Sequence, residues 1–201
     1  MDIILNEFKP SPIIGHCVEY FWFGRFNINS SGHLSQRVIP NGYVELIIHL
    51  SEEHCELFQG VDFSSSPDFT LIGMFSKPYE VKFRKPVDVF GIRFKPEGIS
   101  NVFGVSASEI KANYEDMANI AGIRFSDFTS KLRELKSVNK MVDYAEKYLL
   151  ENLRNANINM YYLNYAAEII RSRKGMISIE ESLTCMISSK FINGLLPRWR
   201  S

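Results

Sequence analysis

The sequence predicts an α+β protein: an N-terminal antiparallel β-barrel followed by a helical segment and a partial helix-turn-helix. Three observations carry that expectation. Up to about Phe94 apolar residues recur with period two; after Lys95-Pro96-Glu97-Gly98 the period becomes helical; from Gly175 to Leu196 the pattern is helix, short turn, helix. These changes divide the chain into residues 1–104 for the barrel, 105–157 for a helical linker or dimerisation segment, and 158–201 for the helix-turn-helix region.

The first strand predicted runs from Val18 to Phe26 and is aromatic, with Phe21, Trp22, Phe23 and Phe26. Val44-Glu45-Leu46-Ile47-Ile48-His49-Leu50 is the clearest strand, because positions 44, 46, 48 and 50 are all apolar and share one face. Further strands are expected at Phe69 to Gly73, Glu80 to Arg84 and Asp88 to Phe94. Turn-forming stretches separate them: Asn29-Ser30-Ser31-Gly32, Pro40-Asn41-Gly42 and Ser64-Ser65-Ser66-Pro67. Short strands at this spacing suggest a barrel or a sandwich, and a closed antiparallel arrangement leaves a mouth or interior for a small ligand.

Ser106-Ala107-Ser108-Glu109 is a candidate capping box, in which a Ser hydroxyl and a Glu carboxylate each satisfy an orphan backbone N–H. From Asp127 to Leu153, Leu132, Leu135, Val138, Met141, Val142, Ala145, Leu149 and Leu153 recur at three- and four-residue spacings, as one long helix or two joined near Ser137. Such a stripe must be buried against the barrel, another helix or a second subunit, which makes a homodimer an expectation. A further helix covers Tyr161 to Ile170 and ends near Arg173-Lys174-Gly175, with cations in its last turn and Gly past it. Ser178-Ile179-Glu180-Glu181 then opens the first helix of the final unit, and Ser188-Ser189-Lys190-Phe191-Ile192 opens the second.

The chain has 201 residues, 45% of them hydrophobic, enough to bury a core in one large domain or two small ones. Lys and Arg total 23 and Asp and Glu total 23, so no global positive field exists to hold a polyanion. Any nucleic-acid contact must be local. Basic residues collect late, at Arg171, Arg173, Lys174, Lys190, Arg198 and Arg200, as a solvated helix end or as a phosphate-contacting patch. Cys17, Cys55 and Cys185 are odd in number and widely spaced, which suggests neither a disulfide framework nor a thiol zinc site and fits a reducing cytoplasm. There is no leader pattern and no apolar run approaching the roughly 18 residues of a membrane span, so a soluble cytoplasmic protein without membrane partners is expected.

His16, His33, His49 and His54 do not pair at a ligand spacing, and no phosphate loop, nucleophile elbow or Cys/His motif occurs. Neither enzyme chemistry nor a metal or cofactor is expected. For a small-molecule pocket the pointers are Trp22, Tyr43, Glu45 and Arg93, with Glu97 nearby: aromatic walls and a few polar groups in or beside strands. Alternatively, Glu45 and Arg93 simply pair with one another to orient the barrel.

Arg37-Val38-Ile39-Pro40-Asn41-Gly42-Tyr43-Val44-Glu45-Leu46-Ile47-Ile48 resembles the segment P-[DN]-G-x-x-[ED]-[LI] of the N-terminal domain of AraC/XylS-type transcription regulators. So does Gly91-Ile92-Arg93-Phe94-Lys95-Pro96-Glu97-Gly98, followed by Val102-Phe103-Gly104. The resemblance implies an effector-binding β-barrel, a helical dimerisation segment and a DNA-binding domain with two helix-turn-helix units. The departures lie at the end. In the first unit Ile179-Glu180-Glu181 agrees, but Ser182 precedes Leu183 and the turn is a residue short. In the second helix Lys190 falls at the first Arg of the pattern and Ile192 at its Leu, while Gly194 replaces the second Arg and Leu196 the Phe. Gly inside a recognition helix costs on the order of 1 kcal/mol and removes a cationic contact. With the second unit absent, the expectation is a regulator reduced to its sensing and dimerising parts. An unknown small molecule is its effector, and its weak or absent DNA contact is carried by the remnant Ser188, Ser189, Lys190 and Asn193. The alternative is a β-barrel ligand- or protein-binding module with no DNA role.

Overall fold

A computed structural model describes residues 2–28, 32–58, 60–106, 109–110, 113–153 and 158–184. The chain forms two compact units, residues 1–153 and 154–201.

The first unit is mixed α and β. Its strands are β1 (Asp2–Phe8), β2 (Val18–Asn27), β3 (Leu34–Val38), β4 (Val44–His49), β5 (Glu56–Phe58), β6 (Phe63–Ser65), β7 (Phe69–Ile72), β8 (Tyr79–Phe83), β9 (Val87–Phe94) and β10 (Tyr114–Asp116). The helices are α1 (Gly98–Phe103), between β9 and β10, then α2 (Ala118–Glu134) and α3 (Val138–Asn152). All strand pairs are antiparallel, in a six-stranded sheet of order β1-β2-β9-β4-β7-β10 and a four-stranded sheet of order β3-β8-β5-β6.

The expected closed barrel is not formed. The chain changes sheets after β2, so β3 pairs with β8 instead of continuing beside its predecessor, and no ladder joins the two sheets among the described residues. The strands between Val18 and Phe94 that the alternation predicts are all present. β1, β3, β5, β6 and β10 are additional.

Strand alternation sends the six-stranded sheet's two faces to two different cores. Val44, Leu46 and Ile48 of β4, with Phe90, Ile92 and Phe94 of β9, point to the side covered by the helices. Val87 and Val89 of β9, with Phe26 of β2, point to the four-stranded sheet and its Leu57, Val81 and Phe83. Thus β4 is buried on both faces, and its Glu45, Ile47 and His49 lie under the second sheet instead of in water. A β-bulge between Val18 and Tyr20 resets the alternation, which puts Tyr20 and Trp22 on the same inner side.

The helical stripe is spent inside this unit. Phe125, Phe128 and Leu132 of α2 and Met141, Val142, Ala145, Tyr148 and Leu149 of α3 join the core of Leu46, Ile48 and Leu71. The helix breaks at 135–137, where Leu135 and Ser137 are extended, which resolves the choice between one helix and two. Arg133 ties α2 to the end of β4: its Nε donates to the His49 carbonyl at 2.8 Å and an Nη to Asp68 at 2.9 Å.

In the second unit, α4 (Ile158–Ser172) ends as expected, with Lys174 and Gly175 both left-handed (φ 53° and 75°) and the Gly175 N–H donating to the Ile170 carbonyl at 2.9 Å. The Ser178–Glu181 capping box is formed in both directions, at 2.9 and 3.0 Å, and residues 179–184 are helical. At the Ser106 box the Ser106 N–H donates to the Glu109 carboxylate at 2.8 Å, and residues 109–110 make a turn. The second helix of the expected helix-turn-helix, with Ser188, Ser189, Lys190 and Asn193, lies outside the described residues. Among the described residues no helix is long and apolar enough to cross a membrane.

Candidate functional site

The two sheets diverge around a cavity of about 200 Å³. Its inner wall is largely apolar: Phe26 from β2, Ile47 from β4, Leu57 from β5, Ile72 from β7, Val81 and Phe83 from β8, and Val89 from β9. The exposed Leu5 and Glu7 of β1 and Gln36 of β3 also line it, so it opens where the two sheet edges fail to meet.

The polar groups follow from strand register. Glu45 of β4 stands directly opposite Arg93 of β9, and Arg93 stands opposite Tyr20 of β2. Cross-strand neighbours on one face are close enough to pair, and here the Arg93 guanidinium donates through Nε and an Nη to the Glu45 carboxylate. Its planar face also meets the Tyr20 ring, 4.4 Å from the centroid, and the Tyr43 ring, at 5.7 Å. Tyr43 is delivered by the Pro40-Asn41-Gly42 turn: Gly42 takes φ 76°, and the Asn41 side-chain oxygen accepts from the Tyr43 N–H at 3.1 Å. Burial, and secondarily the nearby Glu7 carboxylate, push the Glu45 carboxyl up to about 7, against the pull of Arg93. Burial also raises the Tyr79 hydroxyl, on the opposite wall.

Trp22 forms part of the cavity wall by lying on Gly91. A Cβ at position 91 would fall 2.0 Å from indole atoms, so only glycine admits the ring there. The buried indole N–H has no hydrogen-bond partner among the described residues. Gly91→Ala should lift the indole off the sheet at a cost of about 1–3 kcal/mol. The chain has two tryptophans, so in a Trp199→Phe background Trp22 emission reads the change directly. Unaltered emission and thermal midpoint would contradict this packing.

All four pocket residues expected from the sequence therefore converge: Trp22, Glu45 and Arg93 line the cavity and Tyr43 packs on Arg93. The Glu45–Arg93 pair is formed, and both residues border the cavity.

A second cluster lies behind this wall. The fully buried His49 puts Nε2 3.2 Å from Ser66 Oγ and 3.6 Å from Cys55 Sγ, and its ring stacks on His54, whose Nε2 is 3.0 Å from Asp68. Burial, then the neighbouring His54, hold His49 down to about 4, and burial raises the Cys55 thiol. These contacts pin the β4 end to the 51–68 segment. Loop closure, which no local spacing announces, brings these residues together. Among the described residues no group of three or more His, Cys, Asp or Glu side chains could hold a metal ion.

A family described as a domain of unknown function (DUF6597) matches residues 6–116. Its span contains Glu7, Trp22, Tyr43, Glu45 and Arg93. No curated protein and no solved structure matches the chain.

Proposed function

We propose, for a chain that belongs to the DUF6597 family, that residues 1–153 are the effector-binding module of a transcription regulator of the AraC type. The observation that carries this reading is the cavity between the sheets, with its apolar wall, its orphan Trp22 N–H and its Glu45–Arg93 pair. Apolar space with a few placed polar groups is what small-molecule recognition requires. The strings around Pro40-Asn41-Gly42 and Lys95-Pro96-Glu97-Gly98 support the family resemblance, and they flank the two strands that carry the pair. An effector would act by binding two states of the protein unequally. DNA contact by this chain is weak and salt-sensitive, because Gly194 stands where the resembling pattern has a cation.

A second reading, a ligand-binding module with no DNA role, is favoured by one observation: the helical stripe that would mediate dimerisation is buried within its own unit. The test is native mass spectrometry of protein purified from cells, with duplex-DNA shift assays at two salt concentrations. A retained small molecule and salt-sensitive DNA binding are expected. A retained molecule without any DNA binding selects the second reading; nanomolar sequence-specific DNA binding would contradict the weak reader.

A further inference from the structure

The charges around the cavity do not balance. Glu7 and Glu45 contribute two carboxylates and Arg93 one guanidinium. Arg93 gives both its Nε and an Nη to Glu45, while Glu7 makes no hydrogen bond or ion pair among the described residues. An anionic ligand would thus meet an occupied guanidinium and two carboxylates. A cationic one would meet the Glu7 carboxylate and the aromatic side chains of Trp22 and Tyr79 in the lining, which attract cations. Burial first, and then the Glu7 carboxylate, raise the Glu45 carboxyl. The volume is informative too: an apolar cavity of about 150 Å³ holds benzene, so about 200 Å³ leaves room for one ring and a short arm.

We infer that the cavity takes a small aromatic amine, its ammonium facing the Glu7 and Glu45 carboxylates and its ring among the apolar side chains between the sheets. This rests on the reading of the cavity as a ligand site. The mouth between β1 and β3 puts Glu7 at the entrance and the Glu45–Arg93 pair farther in, so an entering amine meets a carboxylate first.

Isothermal titration of the full chain with phenethylamine, phenylacetate and 2-phenylethanol tests it, because the three share a ring and an arm length and differ in charge. Phenethylamine should bind at least about tenfold more tightly than phenylacetate. Glu7→Gln and Glu45→Gln should each weaken the amine about tenfold relative to the alcohol. Where Glu45→Gln does not fold, Glu7→Gln carries the test, since Glu7 is exposed on an edge strand. Phenylacetate binding as well as the amine, or amine affinity unaltered in Glu7→Gln, overturns the inference. A neutral or anionic molecule retained from cells overturns the amine and leaves the ligand site standing, whereas no binding of any probe and no retained molecule removes both.

Discussion

Arg93→Met is expected to destabilise the protein by about 3 kcal/mol or more at pH 8.5, and by much less at pH 5. Removing one partner of a buried pair leaves the other charge uncompensated, which typically costs about 3–5 kcal/mol. Both side chains are well enough covered for that to apply, at 21% exposure for Arg93 and 11% for Glu45. The dependence on pH follows from the raised Glu45 carboxyl. With a folded pKa of about 7 against 4.5 for the ordinary group, the native state binds more protons than the unfolded chain in that window. Stability from this group is full below pH 4.5 and is lost as pH rises through 7. Without Arg93 the carboxyl rises further and the loss continues to higher pH. His49 acts oppositely: depressed to about 4, it withholds protons that the unfolded chain takes up below pH 6.5, so stability falls as pH falls through that range. That contribution is common to both proteins and cancels in their difference. Urea unfolding at the two pH values measures that difference, and an equal loss at both would mean that Glu45 is not held in a dry, paired environment.

Phe128→Ala should cost about 3–5 kcal/mol, the range for an aromatic side chain removed from a packed interior. Phe128 is 1% exposed and stacks on Tyr148 at 4.0 Å between centroids, with Tyr144 at 5.6 Å and Phe125 at 5.9 Å. The hole would lie where α2 meets α3, and both helices cover the sheet face that includes Leu46 and Phe90. Thermal unfolding should therefore lose stability as one transition for residues 1–153. A separate early helical transition, with the strand signal unmoved, would instead make the helices an independent segment.

Legibility in the sequence tracked how local the cause was. The alternation in Val44–His49 is a local signal and marks a strand, yet only one of its two apolar destinations can be read from it; that Glu45 lies under a second sheet depends on β8 and β5, far away in the chain. The Glu45–Arg93 couple was readable as a possibility because both sit in strands flanked by turn signals, and the ladder makes them direct neighbours. Glu7 was not found. Its strand carries Ile3-Ile4-Leu5 in a row and six exposed residues, so it lacks the period that identifies a strand. Strands β5, β6 and β10, each three residues long, are too short to have a period at all. Barrel and sandwich differ only in whether distant edges hydrogen-bond, and no residue pattern states that. His49 and His54 stack although their spacing of five residues matches no regular element.

Among the described residues the strand at the mouth is attached along one side: β1 is zipped to β2 by a single ladder and has no other neighbour, and hydrogen bonds in such a position open at a small fraction of the free energy needed to unfold the domain. Exchange of a ligand at the proposed site would thus be governed by the fraying of one seven-residue ribbon, and its residence time would be tuned at Asp2–Glu7, whereas Phe8 packs on the helical core.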